Sequence, residues 1–153
     1  LPEAINTYKV SKNKMELIKT VKWYVDGQKW SESNFKDGKE DGKRTAWYEN
    51  GQKYKEGTFK NGKEDGLHTK WYENGQKQYE GAYKDGRVDG RYTGWYENGL
   101  KEFEVKITFK DGESKGPYTE WYENGQKKGE GTWKDRELIS SKCWDEDGNE
   151  IEC

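Results

Sequence analysis

Trp47-Tyr48-Glu49-Asn50-Gly51-Gln52-Lys53 decides the reading of this chain, because close relatives of the same seven residues return along it. Trp-Tyr pairs stand at Trp23-Tyr24, Trp71-Tyr72, Trp95-Tyr96 and Trp121-Tyr122, and a degenerate copy starts at Trp144. The spacing is roughly 24 residues, a period that marks small units stacked on their neighbours. Outward from Lys53 the unit continues Tyr54-Lys55-Glu56-Gly57-Thr58-Phe59-Lys60, then Asn61-Gly62-Lys63-Glu64-Asp65-Gly66. Leu67-His68-Thr69-Lys70 then leads into the next Trp.

Asn-Gly between strand-like residues is the strongest short-range hairpin signal, because type I′ turns need positive φ at both central positions. Each copy has such a corner: Asp26-Gly27, Asn50-Gly51, Asn74-Gly75, Asn98-Gly99 and Asn124-Gly125. A second, longer corner recurs as Asp37 to Gly42, Asn61 to Gly66, Asp85 to Gly90 and Asp111 to Gly116. Each repeat is therefore two strands and two turns. The fold expected is all-β: an elongated, solenoid-like antiparallel meander of about eleven or twelve strands. It forms one repeat domain over 1–153, with a lead-in segment 1–22 and repeats 23–46, 47–70, 71–94, 95–120 and 121–143. A terminal cap hairpin covers 138–153. The stretch Lys14 to Lys19 reads as a lead-in strand.

A two-residue loop at Asn50-Gly51 sets Trp47 opposite Tyr54 and Trp23 opposite Trp30, and a three-residue bulged loop shifts that assignment. Gly57, Gly81 and Gly131 leave room for a ring from an adjacent strand. The copy between Gly99 and Phe109 carries two extra residues, the mark of a bulge, a bend or a specialised repeat.

Leu, Ile, Val and Phe total only 19 of 153 residues, which by itself points toward disorder. Two facts oppose that. The net charge is −2, from 28 basic and 30 acidic residues, and the aromatic residues, 15% of the chain, keep step with the repeat. The expected core is therefore aromatic: Trp23, Trp47, Trp71, Trp95, Trp121, Phe35, Phe59, Tyr83, Phe109 and Trp133. A second row, Tyr24, Tyr48, Tyr72, Tyr96 and Tyr122, is the candidate binding face, since tyrosine suits interfaces and exposed apolar rows mark contact sites.

Lysines interleaved with Glu and Asp give no sign of nucleic-acid binding. No apolar run is long enough to cross a bilayer as a helix. Carboxylates recur at turns in every copy, unlike a single acid/base pair. Nucleophile elbows, phosphate loops and dinucleotide fingerprints are absent from the sequence. His68, the one histidine, has no visible partners for catalysis or metal binding. Asp145 to Glu150 is a loose likeness of a calcium loop without its spacing, and reads as an acidic hairpin tip. The expectation is thus no enzyme, no catalytic residue, no metal and no cofactor. Cys143 and Cys153 flank the last turn; they are either free thiols or a disulfide stapling the cap, the latter favouring a secreted, periplasmic or cell-surface location over the cytoplasm.

The unit Asp-Gly-x-x-Thr-x-Trp-Tyr-Glu-Asn-Gly-Gln-Lys, followed by Glu-Gly-x-aromatic-Lys-Asp/Asn-Gly, resembles the bacterial variant of the MORN repeat over about residues 20 to 150. The resemblance implies an antiparallel sheet without catalysis. It also implies a choice of partners. Many bacterial members are held to be antitoxins or immunity proteins of the YwqK type, others look exported, and eukaryotic MORN proteins are associated with membrane lipids and scaffolding. The leading expectation is a module that binds another protein through an aromatic sheet face. The alternatives are a dedicated toxin-neutralising protein and a surface protein binding lipid or polysaccharide. Oligomeric state stays open.

Overall fold

The computed structural model describes residues 4–12, 14–110, 113–135 and 137–153, with the side chains of residues 109, 110, 113, 114 and 140 outside that description. Every regular element among them is a strand: β1 Ile5–Ser11, β2 Lys14–Trp23, β3 Lys29–Lys36, β4 Lys39–Trp47, β5 Lys53–Lys60, β6 Lys63–Glu64, β7 Gly66–Trp71, β8 Lys77–Lys84, β9 Arg87–Trp95, β10 Lys101–Lys110, β11 Glu113–Trp121, β12 Lys127–Lys134, β13 Glu137–Trp144 and β14 Glu150–Ile151. The order in the sheet follows the order in the chain, an antiparallel meander that does not close. Fourteen strands exceed the eleven or twelve expected for three reasons. The lead-in is a full hairpin, β1 with β2. One strand is broken into β6 and β7 at Asp65, whose N–H turns to the Thr58 carbonyl at 2.9 Å. The cap ends in the two-residue β14.

The two corners exchange the roles expected of them. At Tyr48–Gln52, Gly51 N–H donates to the Tyr48 carbonyl at 3.0 Å and Tyr48 N–H to the Gln52 carbonyl at 2.8 Å. That closes a three-residue loop in which only Gly51 has positive φ, +83°. Asn50 stays right-handed and its Oδ1 accepts the Gln52 N–H at 2.9 Å. This is a type I turn with a glycine bulge, not type I′. The true type I′ loops are the other corners, where Asp37-Gly38 (+50°, +76°), Asn61-Gly62 (+51°, +80°) and Asp85-Gly86 (+50°, +81°) both turn left-handed. The expected corner Asp111 to Gly116 lies partly outside the described residues.

The three-residue loop shifts the register. Trp47 pairs with Lys53 and Ala46 with Lys55; Trp23 pairs with Lys29 and Lys22 with Ser31. The pairings of Trp47 with Tyr54 and of Trp23 with Trp30 are therefore overturned. One extra residue per hairpin puts Lys53 on the Trp47 side of the sheet and swings Tyr54 to the Tyr48 side, where the two rings meet edge-on at 5.0 Å.

Of the bulge, bend or specialised repeat expected of the two extra residues in the fourth copy, the β10–β11 register overturns the bulge. In the first copy β4 bulges between its pairings with Ser33 and Phe35. In β10 the added length matches that slack: Val105↔Tyr118 and Thr108↔Lys115 keep one register with no shift. The insertion removes a bulge rather than making one.

The chain divides into two compact units, residues 1–75 with 83–87 and residues 76–82 with 88–153. Among the described residues, neither unit has a second sheet or a helix over its strands, so burial is shallow. Val105 is the buried hydrophobic side chain, and the other buried side chains are Ser33, Thr45, His68, Thr69 and Thr93. Trp23, Trp47, Trp71, Trp95, Trp121, Phe35, Phe59, Tyr83 and Trp133 are all half-buried. The side chain of Phe109 lies outside the described ones.

Candidate binding faces

On one side of the strands, the Trp face, the rings of Trp47, Trp71, Trp95, Trp121 and Trp144 each lie under a lysine from the preceding repeat. In the first unit Lys29 Nζ is 5.7 Å from the Trp47 ring and Lys53 Nζ 5.5 Å from that of Trp71. In the second, Lys77, Lys101 and Lys127 lie 5.6, 5.5 and 5.3 Å from Trp95, Trp121 and Trp144. These are cation–π distances. The same lysines hold carboxylates three residues on: Lys29–Glu32 at 2.9 Å, Lys53–Glu56 at 2.7 Å, Lys101–Glu104 at 2.8 Å. Lys19 and Lys43 add second cations to Glu32 and Glu56. Hydrogen bonds from Lys19, then Lys29, hold the Glu32 carboxyl below its usual range, and Lys101 does the same for Glu104.

On the opposite Tyr face the tyrosine row is half-buried and works between repeats. Tyr24 Oη donates to the Trp47 carbonyl at 2.6 Å and Tyr48 Oη to that of Trp71 at 2.7 Å. In the second unit Tyr96 and Tyr122 donate to the carbonyls of Trp121 and Trp144 at 2.8 and 3.0 Å. Tyr72 is half-buried too. The corner asparagines repeat the pattern, Asn50 Nδ2 to the Glu73 carbonyl at 3.1 Å and Asn98 Nδ2 to that of Glu123 at 2.9 Å. Three corner glycines also make space for a glutamine of the preceding repeat: a Cβ on Gly51 would meet Gln28, one on Gly75 Gln52 and one on Gly99 Gln76.

In the first unit the Tyr face holds a trough of about 510 Å³ over β1 to β5. Its floor is made of small side chains, Ser31, Ser33 and Ala46; Trp30, Phe35 and Tyr54 wall it. Trp30 is 45% exposed and Tyr54 37%. A smaller cavity of about 110 Å³ adjoins it through Arg44, Ala46 and Tyr54, and is lined as well by Lys55, Gly57, Phe59 and His68.

Sequence reasoning did not foresee the surroundings of His68. It is fully buried, 5.3 Å from the Phe59 ring and 5.1 Å from that of Tyr83. Its imidazole lies on Gly57, where any Cβ would collide with it. Gly57 thus makes the room expected of it, but for a histidine. His68 Nε2 is 2.8 Å from the Thr58 carbonyl, which can only accept, so Nε2 carries the proton. Nδ1 has no hydrogen bond; the Glu64 carboxylate is 3.5 Å away, within ion-pair reach but misaligned. The legible signal was the lone histidine facing a glycine in a repeat where other copies put Arg44, Tyr92 and Tyr118.

Among the described residues no three His, Cys, Asp or Glu side chains gather to hold a metal ion. In the acidic tip the Asp145 carboxylate is taken by the N–H groups of Asp147 and Asn149 and by the Asn149 amide. Those bonds, chiefly from Asn149, lower its pKa. Cys143 and Cys153 are bonded to each other across the cap, Cα to Cα 5.2 Å.

The alternating corners, the Trp-to-Lys stacking and the repeat length meet in a family match: residues 40–61, 64–85 and 114–135 each fit the MORN repeat variant. This chain carries variant MORN repeats. The repeats form a β-sheet module with exposed aromatic side chains, of a class that is generally not catalytic. No curated protein matches the chain. Among solved structures, a chain from the crystal structure of accessory secretory protein 1, 2 and 3 in Streptococcus pneumoniae is similar at 14% identity, over 76% of this chain and 19% of that one, with a TM-score of 0.25. A likeness that loose informs neither fold nor function. Nothing in these matches favours an antitoxin or immunity role.

Proposed function

We propose that these variant MORN repeats form a binding module that holds a segment of another protein on the Tyr face, in the trough of the first unit. One observation carries the reading. The Trp face is covered by its own lysines and carboxylates, whereas the trough offers exposed rings around a floor of small side chains. Concave, aromatic-rimmed surfaces with a few polar groups are where ligands bind. Lys22 Nζ lies 5.2 Å from the Trp30 ring and Lys70 Nζ 5.1 Å from that of Tyr54. Ring faces already occupied by ammonium groups favour protein side chains over stacked sugar rings. A toxin would be one such partner.

The test is a photo-crosslinking residue at Ser31, used in an extract of the source cells. A discrete adduct should form, should be lost in Trp30→Ala/Tyr54→Ala, and should survive Lys101→Ala/Lys127→Ala on the Trp face. An adduct indifferent to Trp30 and Tyr54 defeats the reading.

A further inference from the structure

Asn-Gly pairs stand at Asn50, Asn61, Asn74, Asn98 and Asn124, and the fold holds Asn61 unlike its counterparts. Asn50, Asn98 and Asn124 sit in three-residue corners with both ends of the side-chain amide in use. Their Oδ1 atoms accept the N–H two residues on, each at 2.9 Å. Their Nδ2 atoms donate to carbonyls of the following repeat, those of Glu73, Glu123 and Glu146, at 3.1, 2.9 and 3.5 Å. Asn61 is in a type I′ corner, left-handed at +51° and exposed. The Asp41 carboxylate accepts its backbone N–H at 3.2 Å, but its side-chain amide makes no hydrogen bond among the described residues. Two sister corners carry an acid at this position. Asp37 and Asp85 both turn at +50°, and the Asp85 N–H is held by the Asp65 carboxylate just as that of Asn61 is held by Asp41.

We propose that Asn61 is a site of spontaneous deamidation, at which this repeat acquires by hydrolysis the acid that its sister corners encode. The nucleophile is the Gly62 amide nitrogen, which has no side chain standing over it. That nitrogen bonds to Asn61 Cγ and gives its proton to solvent. The Cγ–Nδ2 bond breaks, and Nδ2 takes a proton from water and leaves as ammonia. Water then opens the succinimide. Attack at Cγ gives aspartate, and attack at the Asn61 carbonyl carbon gives isoaspartate. Every Asn-Gly pair carries this chemistry, and the fold decides between them. The glycine N–H is tied in both kinds of corner, Gly62 to the Glu40 carbonyl at 2.8 Å and Gly51 to that of Tyr48 at 3.0 Å, so the nucleophile does not discriminate. The amide does. To bring Cγ onto the next nitrogen, Asn50, Asn98 and Asn124 must each give up two side-chain hydrogen bonds, and Asn61 gives up none. The aspartate product fits the corner, because a left-handed φ suits Asp as well as Asn. Isoaspartate adds a carbon to the backbone and undoes the type I′ loop. Neither Asn61 nor Gly62 lines the trough, so the site is independent of the binding reading.

The test stores the whole folded chain in mildly alkaline buffer and follows the Asn-Gly pairs by peptide mass mapping. Cleavage after Glu56 and Glu64 isolates Asn61 in one peptide, and the change from amide to acid registers as a mass gain. Asn61 should convert about tenfold faster than Asn50, Asn98 and Asn124, the scale of the extra hydrogen bonds those three must break. In concentrated urea, with the disulfide reduced, the rates should come level, because the unfolded chain keeps the Asn-Gly pairs and loses the corners. Equal rates in the folded chain, or a lead for Asn50, Asn98 or Asn124, overturn the inference. So does a lead for Asn61 that persists in urea, since it would trace to the flanking residues rather than to the fold. Asn61→Asp should melt together with the parent chain. A large fall in its melting temperature overturns the claim that the corner accepts the acid.

Discussion

The cross-strand row that runs Lys22, Ser31, Ala46, Lys55 and Lys70 in the first unit has a counterpart in the second: Gly94, Phe103, Glu120, Gly129 and Cys143. The repeat places both rows at the same register positions, and they are used in opposite ways. In the first, Lys22, Ser31 and Ala46 line an open trough. In the second, Phe103 lies on Gly94 and stacks on Tyr92 at 5.7 Å, which stacks in turn on Tyr79 at 5.7 Å. Val105 is buried beside Tyr118, whose hydroxyl donates to Glu120 at 2.9 Å. Burial first, and that carboxylate second, raise the Tyr118 pKa far above the ordinary phenol value. The comparison shows that corners and Trp-Lys stacks recur in both units, while a few positions facing the Tyr side decide whether that face is filled by rings or left as an open trough.

The sharpest way to break that comparison is the cap. The second unit is stapled by Cys143–Cys153 over a separation of 10 residues, and among the described residues the first has no such crosslink. Reduction should cost the second unit about 2–3 kcal/mol by loop-closure arithmetic and leave the first unchanged. Residue-resolved hydrogen exchange reads both; equal losses would mean the units are not distinct in stability.

Next come the two glycines under rings. Gly57→Ala would drive a Cβ into His68, and Gly94→Ala one into Phe103. Each should cost about 1–3 kcal/mol in urea denaturation, as overpacking does. A neutral Gly57→Ala would show that the His68 site yields where the Phe103 stack does not.

Smaller effects come from the tyrosine row. Tyr48→Phe and Tyr96→Phe each remove one hydrogen bond to a Trp carbonyl, at 2.7 and 2.8 Å, and should each cost about 1 kcal/mol. Equal losses would show that the row staples both units alike. A loss of partner binding without loss of stability would return the row to the contact role foreseen for it.

The smallest effect is in acid. Glu32 and Glu104 have lowered pKa values, held chiefly by Lys19 and by Lys101. A carboxylate whose folded pKa is depressed contributes stability above its unfolded value, about 4.3, and loses it as pH falls through the lower folded value. Both units should weaken only below about pH 4.3, each by under ~1 kcal/mol. The first should lose more, because two lysines bond Glu32. Thermal melts from pH 6 to 3 check this.

Much of the fold was legible because glycine corners and aromatic periodicity are local signals. Thr69, Lys70 and Trp71 come in the order the alternation demands, and the strands fall where the corners allow. The register was not legible. Whether Asn50-Gly51 closes a two- or a three-residue loop turns on the φ of Asn50, and the Asn50 side chain settles it by taking the Gln52 N–H. That one residue of slip exchanged the sides of Tyr54 and Lys53. The row from Lys22 to Lys70 could not be seen before it was known.

Sequence alone determined that this chain is a β-repeat, because regularly spaced rings between glycine corners have no other way to bury surface. Tertiary structure decided which face each ring and lysine joined, and so which face carries the lysine–carboxylate pairs and which holds the open trough. The reason is that cross-strand register is a cooperative property of paired backbones. A single bulge inverts it, and no stretch of residues carries it by itself.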